Sequence, residues 1–303
     1  MANMKTNLDF TIVVYQFGKV ASQSIVSSLN GLGNIECFQS HFLGKEDFNK
    51  IINFIIDPRN NDYFSEHKEG QLIKNLRLLR RINTYRQNLC EEGKLIFIST
   101  SRDPIEWFRS VVSQNIAGHF PYFKEIAASN NFTFSDKNEL IVKVLPHIFD
   151  QIYNALKLLK SIDSPDWLCI SKEYKQIGIA DKKELRHFLQ FFKTFVSPHN
   201  WFRNHFEQFL GFSISDMREI GSHVYKKESG WCDTYLFRYE DLNVSFPLIL
   251  NSIGIDSNIQ LKTINVSEKK QFSEPIKQTF SDSPILAEIR ATAKSSYTDF
   301  FGY

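Results

Sequence analysis

Residues Val13 to Ile25 read VVYQFGKVASQSI, and the character of the chain changes in the middle of this stretch. The run TIVVY, Thr11 to Tyr15, has the length and β-branching of a buried strand, whereas Ser24 to Leu32 places Ile25, Leu29 and Leu32 on one helical face. Between them lies Gly18-Lys19-Val20-Ala21-Ser22-Gln23-Ser24. A helix start offers unpaired backbone N–H groups, and a lysine with hydroxyl donors beside them makes a cradle for an anion. The spacing is not that of a Walker A loop, because only one glycine is present and the lysine precedes the loop instead of ending it. A lysine and serines before a helix are equally compatible with capping and solubility, so a second feature must decide.

Further strands are expected at Ile35 to Ser40, Lys94 to Thr100 and Thr234 to Arg238, with a short strand-like piece at Trp167 to Ser171. Helical periodicity runs from Glu69 to Leu89 through Leu72, Leu76, Leu79 and Ile82, and the section from about 120 to 230 is largely helical by pattern. A helix is expected from about Val244, with Pro247 in its first turn. Strands separated by helices imply a parallel sheet covered by helices, whose ligands bind beyond the carboxyl ends of the strands.

Composition sets bounds on function. With 303 residues, 42% hydrophobic and 23% charged, the chain can bury a substantial core as a single α/β domain spanning 1–303. A net charge of +2 excludes a bulk nucleic-acid binder. No apolar run approaches the roughly 20 residues of a spanning helix, and MANMKTNLDF carries no signal-peptide core, so a cytoplasmic protein without a membrane span is expected, peripheral association being left open. Cys37, Cys90, Cys169 and Cys232 show no C-x-x-C spacing and read as reduced structural thiols. No His, Asp, Glu or Cys cluster has metal-ligand spacing, and no metal is expected.

The second feature follows the third expected strand. Arg102-Asp103-Pro104 opens RDPIEWFRSVVSQNI with an Asp cap and Pro at the first helical position. Ile105, Phe108, Val112 and Ile116 form its apolar stripe and leave Ser110 off the core face. Arg102 and Ser110 could grip one phosphate, or serve as a surface ion-pair partner and a solvated hydroxyl.

Taken together, these segments resemble the sulfotransferases that use 3′-phosphoadenosine 5′-phosphosulfate (PAPS). GKVASQS is similar to their 5′-phosphosulfate loop, and R-D-P with Ser110 is similar to their 3′-phosphate element. TYLFRYEDL, Thr234 to Leu242, resembles the late strand of many carbohydrate sulfotransferases. More closely, YQFGKVASQSI, SHFL, RDPI with SVVSQNI, HNWFRNHFEQFLGF and NVSEKKQFS resemble, in order, the bacterial putative capsular polysaccharide synthesis proteins of the sulfotransferase-like NKWYS group. The likeness covers most of the chain and is weakest around Phe120 to Ser197. Ala21 and Gln23 stand where the common loop prefers Gly and Thr or Ser, and KKQFS matches the group's Lys-Trp-Tyr-Ser-like segment loosely.

The resemblance implies a three-layer, P-loop-NTPase-like sulfotransferase fold with a central parallel sheet flanked by helices. It further implies sulfuryl transfer from PAPS to a carbohydrate hydroxyl, in capsule or surface-polysaccharide assembly. Lys19 would stabilise the leaving phosphate oxygen, and Gly18, Val20, Ala21, Ser22, Gln23 and Ser24 would join it around the 5′-phosphosulfate. Arg102 and Ser110 would hold the 3′-phosphate, with Lys270 a further cofactor contact. His41, directly after the second strand, would be the catalytic base, with Glu46 and Asp47 as alternatives. The aromatics of HNWFRNHFEQFLGF and Trp107, Trp201 and Trp231 could meet a sugar or pack in the core; Lys74, Arg77, Arg80, Arg81 and Arg86 could attract an anionic glycan or form a solvated face. A P-loop kinase-like phosphotransferase and a non-catalytic nucleotide-binding protein of polysaccharide assembly are the competing expectations.

Overall fold

The structure, a computed structural model, describes residues 10–30, 32, 34–57, 63–87, 93–255, 259–262 and 271–303. Strand β1 is Phe10–Tyr15, β2 Ile35–Ser40, β3 Lys94–Ser101, β4 Arg218–Gly221, β5 Val224–Glu228 and β6 Asp233–Arg238. The helices are α1 Ser22–Leu29, α2 Lys45–Ile56, α3 Tyr63–Arg86, α4 Pro104–Ser129, α5 Lys137–Leu158, α6 Trp167–Lys172, α7 Lys182–Trp201, α8 Gln208–Leu210, α9 Leu242–Ile253, α10 Ser273–Asp282, α11 Ile285–Thr292 and α12 Ser296–Phe301. A π-helical turn, Phe202–Glu207, leads from α7 into α8.

These elements form two compact units, residues 1–101 with 202–264 and residues 102–201 with 265–303, and neither is continuous in the chain. The first unit is α/β. Its six-stranded sheet has the order β2-β1-β3-β6-β5-β4. The β2, β1, β3 and β6 neighbours are parallel, but β5 and β4 pair antiparallel. The expected all-parallel sheet is therefore a mixed one. The sequence REIGSHVYKKE lies inside the section expected to be helical, yet its two arms are too short and polar for a helix and close as a hairpin through Ser222 and His223, both at positive φ.

Period-2 alternation sends Phe10, Ile12 and Val14 with Ile96, Ile98, Tyr235 and Phe237 to one face, where Ile25 and Leu29 of α1 and Phe246, Ile249 and Leu250 of α9 cover them. On the opposite face Tyr15 packs against Phe97, Phe206 and Phe209, and Thr11 Oγ1 lies 3.0 Å from the Tyr85 hydroxyl of α3. Helices thus flank both faces. Among the described side chains of α3, Asn75, Leu78, Ile82 and Tyr85 are buried, and Leu76, expected on the core stripe, is exposed. Pro247 lies inside α9 and not in its first turn.

The second unit is helical, and much of the chain's phenylalanine forms its core through contacts such as Phe108–Phe195, Phe108–Phe280 and Phe149–Phe280. Trp167 to Ser171, expected as a strand, is the helix α6: Asp166 accepts from the Cys169 backbone N–H at 2.9 Å and caps it. The expected start of α4 is observed, with Asp103 Oδ1 accepting from the N–H groups of Ile105 and Glu106 and Pro104 opening the helix. Among the described residues no helix is long and apolar enough to cross a membrane, and Cys37, Cys169 and Cys232 are free thiols. Cys90 lies outside the described residues.

Candidate anion site at the carboxyl edge of the sheet

Strand β1 ends at Tyr15, and the chain turns through Gln16 to Ala21 before α1 begins at Ser22. Three of four consecutive residues in this turn are left-handed: Gly18 (φ 90), Lys19 (φ 59) and Ala21 (φ 61). For the two non-glycine residues this conformation costs on the order of 1–3 kcal/mol each, and such outliers concentrate at ligand sites. Successive N–H groups in turns of this kind form concavities that bind anions. The first turn of α1 carries no acidic residue, and Ala21 at its N-cap makes no side-chain capping bond.

The loop is tied down from beneath. Gln16 is fully buried, and its Oε1 accepts from the Gly18 N–H at 2.6 Å. Among the described residues its Nε2 has no hydrogen-bond partner, and the same holds for the buried hydroxyls of Ser99 and Thr100 near the end of the adjacent strand β3. A buried unpaired donor costs about 1–3 kcal/mol. A donor orphaned at the root of a cationic turn suits an anionic ligand.

His41 follows β2 directly, as its position in the sequence led one to expect, and it meets this loop. Its Nδ1 lies 2.8 Å from the Gln16 carbonyl oxygen, which can only accept, so Nδ1 carries the proton and Nε2 the lone pair. Gln39 Nε2 donates to His41 Nε2 at 3.2 Å and to Ser22 Oγ at 2.9 Å, linking the histidine to the first residue of α1. A β-carbon on Gly18 would stand 3.9 Å from His41 Cε1. Burial lowers the His41 pKa from 6.5 and outweighs the Gln16 carbonyl, which raises it; the charges of Lys19 and Lys68 lower it further. The imidazole is therefore held neutral beside the lysine.

Of the residues expected at the site, Gly18, Lys19, Ser22 and His41 come together in this way. Val20 is wholly buried and presents only its backbone to the turn, Ser22 and Ser24 are mostly buried, and Gln23 is exposed. Glu46 is exposed in the first turn of α2, and Asp47 is engaged by His205 at 2.8 Å. Arg102 and Ser110 belong to the second unit. There the Arg102 backbone is clasped by one phenol, Tyr297 Oη accepting from its N–H at 2.8 Å and donating to its carbonyl at 2.6 Å. Ser110 sits partly exposed on α4, off the stripe formed by buried Ile105, Phe108, Val112 and Ile116. Lys270 lies outside the described residues.

Gln16 and Gln39 were not singled out from the sequence. Gln39 is partly buried in β2, two residues after buried Cys37 on the same face, which does not mark it as a link between His41 and Ser22. Among the described residues no group of three or more His, Cys, Asp or Glu side chains could hold a metal ion. No protein-family profile, curated protein or solved structure matches the chain.

Proposed function

We propose that the chain is a PAPS-dependent sulfotransferase with a P-loop-NTPase-like sulfotransferase fold, acting on a carbohydrate hydroxyl in capsule or surface-polysaccharide assembly. The observation that carries the proposal is the left-handed Gly18–Lys19 turn entering a helix whose N-cap is Ala21, with a neutral His41 hydrogen-bonded beside it. The orphaned Gln16 Nε2, the Lys19 ammonium and the Ser22 hydroxyl fit a phosphosulfate. PAPS, when bound, supplies the activated sulfuryl group.

In this reading Lys19 and the N–H groups from Val20 onward neutralise charge at the leaving phosphate oxygen, the demand that dominates group transfer of this kind. Gly18 and Ala21 shape the turn, while Ser22, Gln23 and Ser24 add donors along the start of α1. His41 Nε2, which accepts from the Gln39 amide, takes the proton of the acceptor hydroxyl once that hydroxyl replaces the amide, and the Gln16 carbonyl keeps the other proton on Nδ1. The 3′-phosphate role of Arg102 and Ser110, and a cofactor contact from Lys270, rest on the sequence resemblance alone.

Titration calorimetry with adenosine 3′,5′-bisphosphate, against ATP with Mg²⁺, tests the assignment. Preference for the bisphosphate is expected, with Arg102→Ala weakening it about tenfold or more, the worth of a charged hydrogen bond. Preference for ATP, or indifference to the 3′-phosphate, refutes the assignment in favour of a kinase-like enzyme. His41→Ala should retain bisphosphate binding and lose transfer. Because the His41 pKa is lowered, the acid limb of kcat/KM should fall below pH 6.5; a limb above that value would remove His41 as the base.

A further inference from the structure

A second feature of the α/β unit has no part in the anion site: a cavity of about 700 Å³ between the start of α2, the last turns of α3 and the π-helical turn with α8. The volume lies within the range of about 300–1,000 Å³ that small-molecule sites occupy. Its rim at Leu43 and Gly44 follows His41 by two and three residues along the chain. The lining is mostly polar. Asn83, Asn204 and Gln208 contribute amides from three separate elements, and Asp47 and His205 contribute an ion pair at 2.8 Å. Amides and a carboxylate arrayed in this way both donate to and accept from hydroxyl groups.

Arg86 determines what kind of hydroxylated ligand this is. Its guanidinium carbon lies 4.4 Å from the ring centres of both Phe209 and Trp231, and one terminal nitrogen donates to the Phe209 carbonyl at 2.7 Å. The plane of the fork is thereby fixed by two rings and a backbone bond. Among the described residues no carboxylate pairs with it, although Asp47 in the same cavity is engaged by His205 and lies 3.9 Å from Lys50. A guanidinium held in this way, in a cavity it shares with three amides, Lys45, Lys50, Glu46 and the Asp47–His205 pair, matches an anion carried in the plane of its fork.

We propose that this cavity binds a glycan containing a hexuronate, with Arg86 on the carboxylate and Asp47, Asn83, Asn204 and Gln208 on the ring hydroxyls. That the glycan is the sulfuryl acceptor rests on the function proposed above; its binding does not. Lys45, Lys50 and Arg86 line the cavity against the carboxylates of Glu46 and Asp47, the latter engaged by His205, and this positive balance favours an acidic chain over a neutral one.

The test uses saturation-transfer NMR and calorimetry on the full chain. The probes are a hexasaccharide of alternating glucuronate and N-acetylglucosamine, maltohexaose as the neutral control, and adenosine 3′,5′-bisphosphate as a separate arm. The acidic hexasaccharide should bind and maltohexaose should not. Arg86→Gln and, at an exposed position on the cavity wall, Asn83→Glu should each weaken the hexasaccharide at least tenfold while leaving bisphosphate affinity unchanged, and Asn83→Glu should also leave the melting temperature unchanged. Absence of hexasaccharide binding, equal binding of maltohexaose, or unaltered affinity in both variants overturns the proposal. Glycan binding without bisphosphate binding supports the cavity and defeats the sulfotransferase reading alone.

Discussion

His199 offers the most quantitative prediction. Its side chain is 1% exposed near the end of α7, with Nδ1 2.8 Å from the Ser295 hydroxyl and, among the described residues, no partner for the buried Nε2. Protonation would place a charge where nothing accepts it, so burial lowers the pKa from 6.5 to about 3. In the unfolded chain the histidine titrates normally. As pH falls through 6.5 the unfolded state takes up a proton that the folded state refuses, and stability drops until pH reaches about 3. At about 1.4 kcal/mol per pH unit, acidification from pH 7 to pH 5 costs about 2 kcal/mol through this one residue. Urea unfolding at both pH values, for the parent chain and for His199→Gln, isolates the effect because every other histidine is common to the pair. The parent should lose about 2 kcal/mol more than the variant. Equal losses would refute the reasoning, as would an imidazole NMR titration showing His199 protonated in the folded protein at pH 5.

Gly18→Ala places a side chain at φ 90 and should cost about 1–3 kcal/mol, or the turn should distort and anion affinity fall; unchanged melting together with unchanged bisphosphate binding would show that the turn tolerates a β-carbon. Asp103→Ala removes the acceptor for the N–H groups of Ile105 and Glu106 and the partner of Arg290 at 3.0 Å, and should destabilise the chain by about 1–2 kcal/mol in urea unfolding. Asp103→Asn should recover most of that loss, since the amide oxygen still caps.

What the sequence made legible follows from how local each signal is. The β1 turn and α1 could be read directly because β-branching, a Gly-Lys pair and helical periodicity succeed one another within about twenty residues. The α4 cap was equally plain, since Asp and Pro act on their immediate neighbours. Trp167 to Ser171 was misread because five apolar-rich residues carry no period, and the Asp166 cap decided for helix. In α3 Ile82 is buried as expected, but Asn75 and Leu78 are buried in place of Leu76 and Leu79, and Tyr85 reaches Thr11, a contact made only in the assembled sheet. The hairpin of β4 and β5 was hidden by its polarity, and its turn uses Ser222 and His223 where Asn-Gly would have announced it. That His41 opens toward the β1 turn was legible from its place directly after a strand. Gln16 and Gln39 were not, because an amide in or beside a strand declares no role until its partners are in place. The division into two units left no mark in composition, since its boundary runs between Trp201 and Phe202 within unbroken helical structure.

That interleaving of the two units matters on the ribosome. Strand β3 is complete at Ser101, but its neighbour β6 ends only at Arg238, 137 residues later. At roughly 5–20 residues per second, β3 presents an unpaired apolar edge for about 7–27 seconds of translation. The second unit closes later still, because Tyr297, whose phenol clasps Arg102, follows Arg238 by a further 59 residues. Slowing translation between the codons for residues 102 and 233 should therefore lower the soluble yield, whereas slowing it across the codons for residues 10 to 101 should not.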